Sequence, residues 1–143
     1  MTIATILQQH SEHEVVGCNC TDTVREVVAM LSKNRIGAVP VLRDGKVVGI
    51  FSERDLVYRV TDQGDGILDS EVQEAMTSPA VTVTSDTGVL AALSLMTRRR
   101  IRHLPVVDAD TLIGFVSIGD LVKYRIDKIE REAEALRDYI QHG

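Results

Sequence analysis

The chain has 143 residues, of which 44% are hydrophobic, 26% charged and 3% aromatic, and its formal net charge is −5 at pH 7. This length accommodates one well-buried core or two small cores that share an interface. The sequence contains neither an apolar run of ~20 residues nor an N-terminal signal peptide, so we expect a cytoplasmic protein with no membrane span. The negative charge argues against a general nucleic-acid or anionic-membrane binder.

The N-terminal residues predict a short amphipathic helix. Ile3, Ile6 and Leu7 are spaced to share one helix face. The polar run from Gln8 to Glu14 ends this helix.

A short strand is predicted from Val15 to about Cys20, and it carries the two cysteines of the chain, Cys18 and Cys20. Residues two apart on a strand face the same way and rarely suit a disulfide. With only His10 and His13 upstream, the potential ligands are too few for a structural zinc site. We therefore expect two free thiols and no metal.

The first long helix is predicted from Thr21 to Arg35. Thr21 or Thr23 can cap its first turn. Its apolar side chains recur at helical spacing on one face, which we interpret as core: Val24, Val27, Val28 and Leu31.

A hairpin and a second helix start follow. Val39 to Leu42 and Val47 to Phe51 are β-rich, and Arg43 to Lys46 between them has turn chemistry. Ser52-x-x-Asp55 has the spacing of a helix N-terminus, where a serine oxygen accepts from free backbone amides and an acidic side chain is favourable.

The polar segment from Thr61 to Asp69 predicts a short linker. Its length favours two units packed face to face over two tethered domains. Val72 to Met76 predicts a helical turn that Ser78-Pro79 ends, and we expect a strand from Ala80 to Thr84.

The stretch from Ile36 to Asp55 recurs 65 positions later as Ile101 to Asp120. The second copy predicts the same hairpin and helix start, preceded by a helix whose stripe is Val89, Ala92, Leu93 and Met96. Because Asp22 and Asp86 differ by 64 positions instead, we expect Gly88 to be one inserted residue near the start of that helix.

The C-terminal segment predicts a helix of about 20 residues. Its apolar residues alternate between spacings of four and three, with charged residues between them: Val122, Ile126, Ile129, Ala133, Leu136 and Ile140. This seam needs a partner surface, either the repeats of its own chain or a second chain.

The two copies resemble the repeat of the cystathionine-beta-synthase (CBS) domain family. The resemblance covers roughly residues 1 to 126. In the first copy it is carried by Asp22-Thr23-Val24-x-Glu26-Val27, Ile36-x-x-x-Pro40-Val41 and Gly49-Ile50-x-Ser52-x-x-Asp55. In the second it is carried by Ile101-x-x-x-Pro105-Val106-Val107 and Gly114-Phe115-x-Ser117-x-x-Asp120.

The resemblance implies an α/β (α+β) fold of two tandem β-α-β-β-α CBS repeats, packed about a pseudo-two-fold axis, plus a C-terminal helix. Residues 1–66 would form repeat 1 with the N-terminal helix, 67–126 repeat 2, and 127–143 a C-terminal extension. The N-terminal helix would pack on the repeat that follows it. A homodimer formed through the repeats and the C-terminal helix is also implied.

The family binds adenosine-containing ligands in two clefts between its repeats. The resemblance implies that Ser52 with Asp55, and Ser117 with Asp120, hold the ribose, since a carboxylate can accept from both ribose hydroxyls. It also implies that the residues around each proline contact the base: Ala38, Val39, Pro40, His103, Leu104 and Pro105.

Four arginines within five positions, Arg98, Arg99, Arg100 and Arg102, precede His103. Guanidinium groups suit phosphate oxygens, and we assign phosphate binding to Arg100, Arg102 and His103. The first copy has Asn34, Arg35, Gly37 and Ala38 instead, so the clefts are expected to differ, with Arg54 partly compensating.

These features favour a stand-alone regulatory module that senses AMP, ADP, ATP or NAD(H) and signals to an unidentified protein through conformation or assembly. The sequence offers no nucleophile with an adjacent base, so we expect no enzyme, no catalytic residues and no catalytic cofactor. The alternative is a structural dimerisation or nucleic-acid module without a small-molecule ligand. Its phosphate contacts would come from Arg98 to Arg102, although few aromatic residues are available for stacking.

Overall fold

The computed structural model describes residues 1–9 and 15–142. The helices are α1 (Ile3–Gln9), α2 (Val24–Asn34), α3 (Glu53–Gln63), α4 (Val89–Arg99) and α5 (Ile118–His142). The strands are β1 (Cys18–Asn19), β2 (Ala38–Arg43), β3 (Lys46–Ser52), β4 (His103–Asp108) and β5 (Thr111–Ser117). Within these residues, no helix has the length and apolar character to cross a membrane.

The predicted hairpins are β2 with β3 and β4 with β5, both antiparallel. β1 pairs with β2 in parallel and completes a three-stranded sheet. The strand expected from Ala80 to Thr84 is reduced to a single bridge. Only Val83 pairs there, donating to the carbonyl of Pro105 (3.1 Å) and accepting from the amide of Val107 (2.8 Å).

The repeat spacing of 65 continues through the helix starts, and the expected insertion at Gly88 is wrong. Thr23 caps α2 by accepting from the amide of Glu26, and Gly88 occupies the same cap position before α4 without a side-chain acceptor. The turn before each cap is also equivalent, because Asp22 accepts from the amide of Asn19 (2.9 Å) as Thr87 does from that of Thr84 (3.2 Å). Thr87, rather than Asp86, is therefore the counterpart of Asp22.

The N-terminal helix packs on the second repeat, which corrects the expectation that it packs on the first. Ile3 and Ile6 are buried in the second core, and the amide of Ile3 donates to the carbonyl of Thr87 (2.9 Å). The apolar face of α1 packs with the other buried residues of this core: Val83, Val89, Ala92, Met96, Leu104, Val106, Val116, Leu121 and Tyr124.

The linker between the repeats packs on the first repeat in the reciprocal way. Val72 and Ala75 are buried in the first core, and the amide of Val72 donates to the carbonyl of Asp22 (2.7 Å). The first core also contains Cys18, Cys20, Val24, Val27, Leu31, Val39, Val41, Phe51 and Ile67. Each core is thus completed by the segment that precedes the other repeat, so the two repeats form one interlocked unit.

The exchanged segments are α1 with Leu7, which packs on the second repeat, and the linker with Met76, which packs on the first. The equivalent glycines Gly114 and Gly49 lie directly beneath them. A Cβ built on Gly114 would lie 2.5 Å from Cδ2 of Leu7, and one built on Gly49 would lie 2.6 Å from Sδ of Met76. Both distances are shorter than a Cβ tolerates. The glycine of each motif therefore allows a segment from outside the repeat to contact the hairpin.

The C-terminal helix is longer than expected, since α5 runs for 25 residues without a break from the second repeat. Leu121 and Tyr124 bury its first turns in the second core. The predicted seam faces solvent, with Ile129 49%, Leu136 60% and Ile140 72% exposed. Of the two partner surfaces considered for this seam, the chain's own repeats do not cover it in residues 1–9 and 15–142.

Candidate functional site

Two clefts lie between the repeats, and each takes residues from both. The arginine cleft encloses about 450 Å³ and is lined by Gly37, Ile50, Ser52, Glu53, Arg54, Asp55, Thr77, Pro79, Ala80, Val81, Arg100, Ile101, Arg102 and His103. The aromatic cleft encloses about 650 Å³ and is lined by Leu7, Val15, Val16, Asn34, Arg35, Ile36, Gly37, Ala38, His103, Ile113, Gly114, Phe115, Ser117 and Asp120.

Ser52 and Asp55 begin α3 at the wall of the arginine cleft. They form a reciprocal capping box, in which the Ser52 hydroxyl accepts from the Asp55 amide (3.3 Å) and the carboxylate accepts from the Ser52 amide (2.9 Å). The other carboxylate oxygen accepts from Oγ1 of Thr77 (2.7 Å). Both oxygens of Asp55 are therefore already hydrogen-bonded.

Three arginines meet in this cleft. Arg54 extends from the first turn of α3, and its Nη1 donates to the carbonyl of Arg100 (3.3 Å), the residue that ends α4 in a left-handed conformation. Arg102 lines the same wall just before β4. The side chains opposed to these cations are the carboxylates of Glu53 and Asp55.

This arrangement corrects the expected role of Arg54. We expected it to compensate the first copy for the missing cluster, but it joins Arg100 and Arg102 because α3 begins opposite the end of α4 from the other repeat. The two clefts therefore differ more in positive charge than the sequence predicted. Arg98 and Arg99 lie exposed in the last turn of α4 and are absent from both sets of lining residues.

Ser117 and Asp120 make the equivalent helix start beside the aromatic cleft. The Asp120 carboxylate accepts from the Ser117 amide (2.9 Å), and the Ser117 hydroxyl accepts from the Asp120 amide (3.1 Å). No residue of the described chain occupies the position that Thr77 takes against Asp55. Within the described residues, the hydrogen bond to the Asp120 carboxylate comes from the Ser117 amide alone.

His103 lies between the clefts and lines both of them. Its ring stacks on Phe115 with centroids 5.5 Å apart and planes 9° from parallel. Burial lowers the pKa of His103 below its usual 6.5, Asp120 and Glu53 act against this shift, and Arg102 adds to it. The ring is therefore neutral at pH 7 and offers a single hydrogen-bond donor to a ligand.

The six predicted base contacts separate into two groups. Ala38 lines the aromatic cleft and His103 both clefts, but Val39, Pro40, Leu104 and Pro105 are buried and line neither. Val39 and Leu104 belong to the two cores. Successive side chains of a strand point to opposite sides. Val39 and Leu104 therefore turn into the cores, whereas their neighbours Ala38 and His103 reach the clefts.

Sequence reasoning missed Arg35 and Phe115 as site residues. Arg35 lines the aromatic cleft and precedes Arg100 by 65 positions, so the repeat spacing could have identified it. Phe115 lies in an apolar, β-rich run, and this sequence context indicates only a core position. Its use as a cleft wall depends on where the first repeat lies.

The two cysteines are free and buried. Burial raises the pKa of Cys18 to about 12, with Asp22 and Cys20 adding to the shift. Within residues 1–9 and 15–142, no group of three acidic, histidine or cysteine side chains could hold a metal ion. His10 and His13 lie outside the described residues.

The family model for the CBS domain matches residues 9–62 and 71–127. The chain is 37% identical over 131 residues to the mitochondrial CBS domain-containing protein CBSX3 of Arabidopsis thaliana, which covers 88% of this chain and 64% of that protein. The chain thus spans less than two thirds of the length of that relative.

Among solved structures, a CBS-domain-containing protein of Agrobacterium tumefaciens is similar with a TM-score of 0.82 and 36% identity, covering 87% of this chain and 99% of that one. CBSX2, solved in complex with AMP, has a TM-score of 0.74 and 23% identity, covering 88% and 96%. The predicted fold of two CBS repeats is confirmed.

Proposed function

The chain belongs to the CBS domain family, and we propose that it is a regulatory module that binds an adenine nucleotide in the arginine cleft. The observation that carries this proposal is the meeting of Arg54, Arg100 and Arg102 beside Ser52 and Asp55, in a cleft between the two repeats. Cations for phosphates and an acceptor for hydroxyl groups are present in one place. CBSX2, a protein of the same fold, was solved with AMP.

The two ends of the cleft have different chemistry. A carboxylate accepts hydrogen bonds but repels phosphate, so Asp55 with Ser52 suits the ribose and the arginines suit the phosphates. Asp55 has lone pairs beyond those used by Ser52 and Thr77. Each well-shielded hydrogen bond from a guanidinium to a phosphate contributes about 1.5–3 kcal/mol.

A ligand in this cleft contacts both repeats, and this provides a mechanism for regulation. The ligand stabilises the relative orientation of the repeats that it binds better, by its difference in affinity for the two orientations. The exposed seam of α5 is a surface through which a homodimer can transmit this orientation. The regulated partner is a protein that distinguishes the two orientations.

The proposal is tested by calorimetry on protein freed of co-purified ligand, with AMP, ADP, ATP, NADH and GTP. We expect adenine nucleotides to bind, and Arg100→Gln with Arg102→Gln to weaken ATP binding at least tenfold. Arg98→Gln with Arg99→Gln removes the same charge outside the clefts and should leave ATP binding unchanged.

Two results would overturn the proposal. One is the absence of binding by every nucleotide in the panel. The other is an equal loss of affinity in the two double variants, because it would indicate a general charge effect. Salt-dependent binding of RNA or DNA that requires Arg98 and Arg99 would instead support the nucleic-acid module.

A further inference from the structure

We propose that α5 pairs with α5 of a second copy of the chain as a parallel, in-register, two-stranded coiled coil. This inference rests on the homodimer of the proposed function and deepens it by fixing the orientation of the two chains. Both pairs of repeats then lie at the same end of the coil. The occupant of the exposed seam is a second copy, because the charges beside the seam complement those of an identical helix in this orientation.

The seam lies on a different side of α5 from the residues that hold this helix to the second core. Leu121 and Tyr124 are buried there, whereas Val122 and Ile126 are exposed. Successive helical residues are about 100° apart, so the centre of the seam is turned roughly 130° from the buried side. A second helix on the seam therefore meets α5 on a side that its own repeats leave open.

The helix is already formed before it finds a partner. It runs without a break from the second repeat, and its first turns pack in that core. Helix nucleation is the costly step for a short isolated helix, and this anchoring provides the nucleus. A seam of this length can therefore support pairing although it is short for a free-standing coiled coil.

The seam residues occupy the a and d positions of a heptad repeat. The a positions are Ile126, Ala133 and Ile140, and the d positions are Val122, Ile129 and Leu136. Beside them, the g positions are Arg125, Glu132 and Tyr139, and the e positions are Lys123, Glu130 and Arg137. Residues at e and g set the orientation of a coiled coil through ion pairs between the helices.

A parallel pair in register places opposite charges beside each other. Each g residue faces the e residue five positions further along the partner, so Arg125 faces Glu130 of the second copy and Glu132 faces its Arg137. Two-fold symmetry makes each of these pairs occur twice. Within residues 1–9 and 15–142, Arg125, Glu130 and Arg137 form no ion pair. Glu132 lies 3.6 Å from Lys128 of its own chain, but its side chain stays 64% exposed.

An antiparallel pair brings like charges together instead. When the two helices are aligned so that every seam residue is covered, Glu130 meets Glu130 of the second copy and Glu132 meets Glu132. Lys123 meets Arg137 in the same alignment. Like charges in contact are unfavourable, so the flanks of the seam select the parallel orientation.

The orientation is tested with Leu136→Cys in the full chain, oxidised with glutathione disulfide. In the parallel coil the two new thiols share one layer of the seam, and we expect most chains to become disulfide-linked dimers. In the antiparallel alignment Leu136 lies opposite Ile126, so the thiols are about 15 Å apart along the helix axis and cannot bond. Ala135→Cys lies outside the seam and should stay unlinked. The native thiols of Cys18 and Cys20 are buried, so the wild type should also stay unlinked.

The flanking charges are tested by sedimentation equilibrium at about 50 mM salt, where screening is limited. Arg137→Glu should raise the dissociation constant of the dimer about fivefold, because Glu132 then faces a like charge. In an antiparallel pair the same change would lower this constant, because Lys123 would gain an opposite charge. Adding Glu132→Arg should restore association in the parallel coil. Arg131→Glu makes the same change of charge on the opposite side of α5 and should have no effect.

The outcomes separate this inference from the function on which it rests. A monomeric wild type that still binds ATP would overturn the coil and leave the nucleotide site standing. A dimer without the disulfide in Leu136→Cys, a trimer, or tighter association of Arg137→Glu would overturn the parallel coil alone. A disulfide-linked dimer of a chain that binds no nucleotide would support the coil while the proposed function fails.

Discussion

Arg54 and Arg100 are joined across the two repeats by a hydrogen bond of 3.3 Å from a guanidinium nitrogen to a backbone carbonyl. Arg54 stands at the start of α3, and Arg100 ends α4. The bond holds two cationic side chains at one cleft although they are 46 positions apart in sequence. A ligand that binds both guanidinium groups therefore also binds both repeats.

The glycines under the exchanged segments should be intolerant of a methyl group to different degrees. Gly49→Ala should lower the free energy of unfolding by about 1–3 kcal/mol, because its Cβ would meet the backbone oxygen of Thr77 as well as Met76. Gly114→Ala should cost less, because the atoms it meets belong to the flexible side chain of Leu7. Urea denaturation measures both values.

Gly66→Ala is the matched control, because a Cβ there would meet nothing within 4 Å. It should change the free energy of unfolding by less than about 0.5 kcal/mol. An equal loss in Gly66→Ala and Gly49→Ala would contradict the packing argument.

The uncapped start of α4 offers a stabilising substitution. Gly88 has φ −67° and ψ 146°, an extended conformation open to any residue, and lacks the side-chain acceptor that Thr23 gives α2. Gly88→Ser should exceed Gly88→Ala in stability by about 1 kcal/mol, because only serine supplies the acceptor. Thermal unfolding of the two variants provides the comparison, and equal melting temperatures would refute the cap.

His103 should make stability depend on pH. Burial holds its folded pKa below 6.5, against the raising effects of Asp120 and Glu53 and together with the lowering effect of Arg102. The unfolded chain therefore binds more protons at this residue than the folded chain. The contribution to stability is complete above the unfolded pKa of ~6.5 and decreases as pH falls below it.

The measurement compares the wild type with His103→Gln. The free energy of unfolding is determined between about pH 7.5 and about pH 5, and the wild type should lose more stability across this range. Other titrating groups contribute equally to both proteins and cancel in the difference. Parallel pH profiles would show that the protonation of His103 is not disfavoured by folding.

The seam of α5 should act in assembly and not in the stability of the single chain. Ile129→Asp with Leu136→Asp should leave the fold intact, because both side chains are largely exposed, and should reduce self-association. Sedimentation equilibrium measures the loss. Ala135→Asp places a charge on α5 outside the seam and is the control. A wild-type chain that is monomeric at high concentration would contradict the dimer.

Much of the local structure follows from short sequence motifs that both repeats contain. Ser52 and Ser117 were expected to begin helices, and both form capping boxes or their equivalent, because a serine and an aspartate three residues apart satisfy the free amides of a first turn. Both hairpins also follow from alternating apolar runs around a polar turn. The helix α2 was predicted in the same way with Thr21 or Thr23 as its cap, and the structure has Thr23 in that position.

The placement of the segments outside the repeats depends on the tertiary structure. The sequence shows that Ile3, Ile6 and Leu7 need cover, but their pattern is equally compatible with either core. The structure places α1 on the second core and the linker on the first, each beside the glycine of a hairpin.

The sequence by itself determined the duplicated unit, its turns and caps, and a cation-rich stretch before the second hairpin, because these depend on residues close together in the chain. Only the tertiary structure decided that Arg54 joins Arg100 and Arg102, that Arg98 and Arg99 point away, and that Phe115 lines a cleft. The physical reason is that a cleft between two repeats is formed by surfaces distant in sequence, and their meeting depends on how both cores pack.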